Sequence, residues 1–212
     1  PGATVEALRD SPNLIDAEIT HVGEIDFKAR GDQEKTISLD YRGGITWGWS
    51  LPFENLKWEI GLTPDIPLSL VVDGGSGAVR LDLAGLKLSK LTVDRGSGSF
   101  TILLPESSAP YEAEIEGGSG HLDLSLPGST TLTVRLSGGS GSQDVRLPVG
   151  AAVRLDVRDN GSGDVSLPSG WVQLEDGEGE DQGLWETPGY EQAAHKILII
   201  VEALGSGSIH IR

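Results

Sequence analysis

The chain has no cysteine and no methionine. The first absence removes disulfide cross-links, thiolate nucleophiles and zinc–thiolate centres from consideration. The second, in a chain that opens on Pro1, leads us to expect that these 212 residues continue a longer product, with a signal peptide, membrane anchor or other domain ahead of them. Long apolar runs are also missing, and nothing approaches the roughly 18 residues that a membrane-spanning helix needs. Positive charge is scarce: 16 Lys and Arg stand against 32 Asp and Glu, a formal net charge of −16. Such a surface repels phosphate backbones and anionic headgroups, so nucleic acid is not expected as a partner and a cationic one is favoured.

What the chain does have is a beat. Gly-Ser-Gly recurs with its serine at Ser76, Ser97, Ser119, Ser140, Ser162 and Ser206. The spacing is 21 or 22 residues, then 44, which is two periods. A fixed period in the twenties marks a solenoid. Each unit carries a first alternating run after the Gly-Ser-Gly, such as Phe100, Ile102, Leu104 or Leu122, Leu124, Leu126, and four of these runs close on Leu-Pro at 104–105, 126–127, 147–148 and 167–168. A second run follows: Leu91, Val93; Tyr111, Ala113, Ile115; Leu132, Val134, Leu136; Val153, Leu155, Val157; Val172, Leu174. Period-two alternation is the half-buried strand pattern, and proline ends a strand because it cannot donate to the ladder. Two such strands and two turns fill about 22 residues, so the expected fold is all-β. It is a flattened parallel β-helix, each turn stacking on the last at about 4.8 Å. The glycines are expected to serve corners that need positive φ.

The pattern extends outward from the clear copies. Trp58, Ile60 and Leu62, then Leu68, Leu70 and Val72, form an upstream unit. Downstream, Gly183-Leu184-Trp185, then Ile197, Ile199 and Val201, read as a degenerate rung that has lost its Gly-Ser-Gly; Ile209 and Ile211 finish the chain. About seven rungs of 21–22 residues over 58–212 are expected. Residues 1–57 break the period. Strands at 17–22, 24–30 and 35–40 are expected to form an antiparallel β cap that covers the solenoid edge, continuous with it as one domain.

The Gly-Gly-Ser-Gly phrases fail the calcium nonapeptide pattern, because Val79, Leu122 and Gln143 stand where aspartate is required. The acidic run 175–181 could offer oxygens to calcium but lacks EF-hand spacing, and a solvated loop over 175–182 is expected. His21, His121, His195 and His210 show no ligand spacing, and the serines have no identifiable base. No catalytic, cofactor or metal residue is assigned. Trp47 and Trp49, at i and i+2, could stack on a sugar, although packing in the cap is the commoner use of such a pair. Arg30-Gly31-Asp32 spells an integrin-read tripeptide where a hairpin turn belongs, and turn chemistry accounts for it.

Pro188-Gly189-Tyr190-Glu191-Gln192-Ala193-Ala194-His195-Lys196-Ile197, followed by a strand and Gly205-Ser206-Gly207-Ser208-Ile209-His210-Ile211, resembles the ending of bacterial toast-rack domains. Asn13-Leu14-Ile15-Asp16-Ala17-Glu18-Ile19 is similar to the opening of their N-terminal subdomain. Such domains occur in LiaF-like cell-wall-antibiotic-response proteins and related envelope proteins. The resemblance implies a β-solenoid carried by a membrane-tethered or exported protein, acting in the LiaF-like members in envelope-stress signalling, with no catalytic residues. The expected function is a non-enzymatic interaction or sensory module at the cell envelope whose partner is a protein or cell-wall component. A glycan-binding adhesin is the alternative, and a carbohydrate-active enzyme the weakest reading.

Overall fold

The computed structural model describes residues 2–21, 23–42, 56–179 and 181–212. In chain order the strands are β1 (Gly2–Ala7), β2 (Ile15–Thr20), the hairpin β3 (Glu24–Arg30) and β4 (Thr36–Arg42), then β5 (Lys57–Leu62) and β6 (Pro67–Asp73). The repeat continues with β7 (Ala78–Asp82), β8 (Lys87–Asp94), β9 (Phe100–Leu103), β10 (Tyr111–Glu116), β11 (Leu122–Ser125), β12 (Leu132–Gly139), β13 (Ser142–Arg146) and β14 (Val153–Val157). Last come β15 (Val165–Ser166), β16 (Val172–Asp176), β17 (Gly183–Glu186), a 3-10 turn at Tyr190–Gln192, β18 (Ile197–Gly205) and β19 (Ser208–Ile211).

Alternation decides the architecture. The odd-numbered strands from β5 to β15, with β1, β2 and β19, form a nine-stranded sheet. The even-numbered strands from β6 to β18, with β17, form an eight-stranded one. Within each sheet the repeat strands pair in parallel, so equivalent residues stack: Val79 on Phe100 on Leu122, and Leu91 on Ala113 on Val134. The alternate apolar residues of both sheets meet in one core, where Leu81, Ile102, Leu124, Val93, Ile115, Val134 and Leu155 are fully buried. The chain is therefore all-β, a flattened parallel coil whose two faces are joined at two kinds of corner.

At the Leu-Pro corners the turns are tied from one rung to the next. Glu106 accepts hydrogen bonds from the amides of Gly128 (2.8 Å) and Ser129 (2.9 Å) and from the Thr130 hydroxyl (3.1 Å). These bonds, the Gly128 amide foremost, hold its carboxyl below the usual glutamate range. Tyr111 donates its hydroxyl to the Pro105 carbonyl at 2.9 Å, and burial pushes its pKa up.

Rung order departs from sequence order at both ends. β1 lies inside the first sheet, parallel to β5 on one side and β7 on the other, while β2 runs antiparallel along β5 at the sheet edge. The hairpin β3–β4 forms its own two-stranded sheet. At the other end β18 inserts between β12 and β14, and β19 between β13 and β15. The expectation that each turn stacks on the one before it is thus corrected for the last turn. The stretch at Gly183–Glu186 is corrected too. It forms no parallel rung but a return strand, antiparallel to both β16 and β14. The physical reason is visible in β18, whose Ile197–Val201 core is apolar at every position. Ile200 points to the outer side of the sheet yet is only 3% exposed, in register between Arg135 and Asp156. A strand that buries both faces belongs in the middle of a sheet. Its displacement leaves β16 at the edge, where Val172 and Leu174, expected in the core, are 48% and 45% exposed.

Candidate functional site

The Gly-Ser-Gly corners join the eight-stranded sheet to the nine-stranded one and lie directly over one another. Part of the glycine requirement is positive φ, as at Gly96 (φ 57°). The other part is proximity: a Cβ on Gly141 would lie 1.9 Å from the carbonyl oxygen of Gly120 in the rung below, although Gly141 has no positive φ. Expecting φ alone to explain the glycines is therefore too narrow, because the second glycine of the corner is needed so that backbone can pack on backbone.

That close packing lines the serines up in an exposed column. Ser206 Oγ lies 3.3 Å from Ser140 Oγ, and Ser162 Oγ donates to the Gly205 carbonyl at 3.5 Å. A groove of about 480 Å³ runs along the corner, lined by Ser119, Ser140, Ser162 and Ser206 and, immediately before β11 and β15, by His121 and Asp164. The inserted C-terminal strand completes it, since β19 brings Ser208 beside Ser142 and His210 beside Asp144.

Beside the groove, sequence-distant groups converge. His121 Nδ1 is 2.9 Å from Ser142 Oγ, and His121 Nε2 is 3.4 Å from Asp144 Oδ2. Arg212 reaches the same Asp144 oxygen at 3.3 Å, Arg146 pairs with Asp123, and His210 Nε2 lies 3.4 Å from Ser208 Oγ. The reading that no serine has a base nearby is corrected at Ser142. The signal was present in the spacing: His121 and Ser142, like Asp123 and Asp144, are one 21-residue period apart. A Ser-His-Asp constellation also needs donors for an oxyanion. β13 runs between β11 and β19, and its register with β11 begins at Gln143, one residue past Ser142.

The outer face of the other sheet is laced by ion pairs. Arg135 bonds Glu112 and Glu202, both at 2.7 Å, and Arg158 bonds Glu202 at 2.8 Å and Asp156 at 3.0 Å. Their carboxylate partners push both guanidinium pKa values up, Glu112 acting most on Arg135 and Asp156 on Arg158. Arg154 bonds Glu186 at 2.7 Å and Glu191 at 2.5 Å, and stacks 4.3 Å over the Tyr190 ring. This ties the 3-10 turn down onto the sheet.

The residues singled out by sequence are scattered. Trp47 and Trp49 lie outside the described residues. Arg30-Gly31-Asp32 sits at the exposed hairpin tip, where Gly31 takes φ 92°. Glu175 and Asp176 end β16, and the turn after them is closed by Gln182, whose carbonyl accepts from the Gly177 amide at 3.0 Å and whose side chain accepts from the Gly179 amide at 3.1 Å. Arg158 shares the groove there with Glu175, Asp176 and Glu178. Among the described residues no group of three or more His, Asp or Glu is placed to hold a metal ion.

No curated protein sequence matches the chain. Among solved structures it resembles the crystal structure of a protein from Clostridium sporogenes ATCC 15579 described as a "putative cell adhesion protein", with a TM-score of 0.57 at 19% identity, covering 99% of this chain and 86% of that one. At that identity the likeness concerns the fold. A sequence profile described as "N-terminal domain of toast_rack, DUF2154" matches residues 9–125, more than half of the chain. The structural likeness extends over the remainder, and the chain belongs to the toast-rack family.

Proposed function

We propose that the chain is a non-enzymatic interaction module of a bacterial cell-envelope protein, presenting a rigid solenoid surface to a protein or cell-wall component, with the 1–57 segment giving β1 to the solenoid sheet and closing one end of the 58–212 solenoid along β2. The observation that carries this reading is the serine groove with its His121–Ser142–Asp144 cluster. Hydroxyls, imidazoles and carboxylates stand close together on neighbouring rungs, His121 beside Ser142 and Asp144, and His210 beside Ser208. Such an array recognises hydrogen-bonding ligands through preorganisation, because the ladder holds each group in place before the ligand arrives. The −16 charge favours neutral or cationic ligands over anionic polymers. A role in envelope-stress sensing is supported by family resemblance. A glycan-binding adhesin is the second reading, favoured by the hydroxyl-lined groove and by the description of the Clostridium structure.

The test is calorimetric titration with neutral oligosaccharides and muropeptide fragments. Saturable binding that Ser140→Leu and His121→Ala weaken about tenfold, with melting temperature held, supports the reading; a loss of that size is about 1.4 kcal/mol. Turnover of any fragment, abolished by Ser142→Ala, would overturn it in favour of an enzyme.

A further inference from the structure

Arg95 is the one charged side chain among the described residues that is fully buried, at 0% exposure. It occupies the last inward position before a Gly-Ser-Gly corner. In register with it, the neighbouring rungs carry Gly74 on one side and Gly117 and then Gly138 on the other. The arginine lies against the next residue of the neighbouring corner: a Cβ built on Gly118 would lie 3.0 Å from Arg95 Cβ and 3.4 Å from Arg95 Cζ, one rung over from the arginine's own backbone. Nε, Nη1 and Nη2 are all buried and all without a hydrogen-bond partner. Gln143, the first inward residue after its own corner and stacked in the column Phe100–Leu122–Gln143, is 1% exposed and has neither amide atom paired.

The contrast with the other buried polar groups is informative. Thr130 donates to Glu106, Asn160 donates to the Gly163 carbonyl, and the Thr63 hydroxyl accepts from the Asp65 amide. A chain with 32 acidic residues leaves its most buried cation without a carboxylate. An uncompensated charge in a low-dielectric interior is among the costliest arrangements in a folded protein, and a guanidinium does not escape it by losing its proton. Burial pulls the Arg95 pKa down, the direction expected for a cation with no counter-charge. An internal water would satisfy the donors but leave the charge. A small anion satisfies both.

We propose that the solenoid interior holds a chloride-sized monovalent anion at the glycine corner, against the Arg95 guanidinium. The anion is a structural ligand, enclosed and separate from the surface groove. It makes the fold's stability depend on which anion is present, as well as on ionic strength.

The test uses the intact chain in sodium gluconate, chloride or bromide at one fixed ionic strength. The wild type is expected to gain about 5 °C or more in melting temperature from chloride, saturating with concentration. Arg95→Met is expected to lose that dependence while melting in gluconate at least as high as wild type, since the uncompensated charge is gone. Should that variant fail to fold, crystals of the wild type in bromide decide the question. Crystals grown in bromide are expected to show an anomalous peak beside Arg95. Equal melting in gluconate and chloride together with no bromide peak overturns the proposal and leaves only water beside the arginine. A chloride response of the same size in Arg95→Met overturns it as well.

Discussion

Replacing Gly141 by alanine separates two explanations of the repeat. If corner glycines served only positive φ, the substitution would be harmless, because Gly141 has none. The stack says otherwise: the new Cβ would sit 1.9 Å from the Gly120 carbonyl oxygen and 2.9 Å from the Ser119 carbonyl carbon. Both atoms are backbone, so no side chain can swing aside. Restoring a normal contact of about 3.2 Å needs the two rungs to part by about 1 Å, which stretches ladder hydrogen bonds beyond their useful length. Overpacking of this kind costs about 3–4 kcal/mol. For a domain of this size that is about 6–16 °C in melting temperature. Gly75→Ala is the control, since nothing lies within 4 Å of its Cβ and its φ is not positive. It should stay within about 0.5 kcal/mol of wild type. Urea and thermal unfolding followed by circular dichroism read both. Gly141→Ala melting within 2 °C of the control would refute the close-packing argument.

Glu106→Gln should lower stability by about 1 kcal/mol near neutral pH, discounted for the exposure of the carboxylate. Because the folded pKa of Glu106 is depressed, its contribution is complete above the unfolded value near 4.3 and disappears as pH falls through the folded one; melting curves of the two proteins should therefore converge only in acid. Leu124→Ala, fully buried and in register between Ile102 and Val145, should cost about 3 kcal/mol in urea unfolding. Deleting residues 197–212 should abolish cooperative unfolding altogether, because β18 and β19 are interior strands; a shortened but cooperative protein would show that the insertion carries little of the stability.

Much of the fold was legible because a parallel coil repeats one local solution. Leu122 and Leu124 alternate with Asp123 and Ser125 for the same reason that Phe100 and Ile102 alternate with Thr101 and Leu103, and each pair stacks on the other. The candidate groove was half legible. The serine column followed from the beat, but His121 lay unnoticed beside Ser142 because a 21-residue separation looks distant until the period is read as a distance of one strand. Arg95 continues the inward alternation of Leu91 and Val93, but a charged side chain at the end of that run does not by itself read as buried.

The sequence by itself determined the local facts of the repeat: which of its residues form strands, which face of each strand is apolar, where proline and glycine turn the chain, and that the period stacks like on like, while β1 went unread because it lies outside the period. Only the tertiary structure decided the order of stacking. Alternation specifies a face and a register but not a neighbour, so β1 could lie within the sheet rather than at its margin, and β18 and β19 could enter between strands made earlier. Long-range burial made that choice. A strand apolar on both sides is most stable with a neighbour on each, and placing it there assembled the serine–histidine groove from pieces of chain that the sequence keeps far apart.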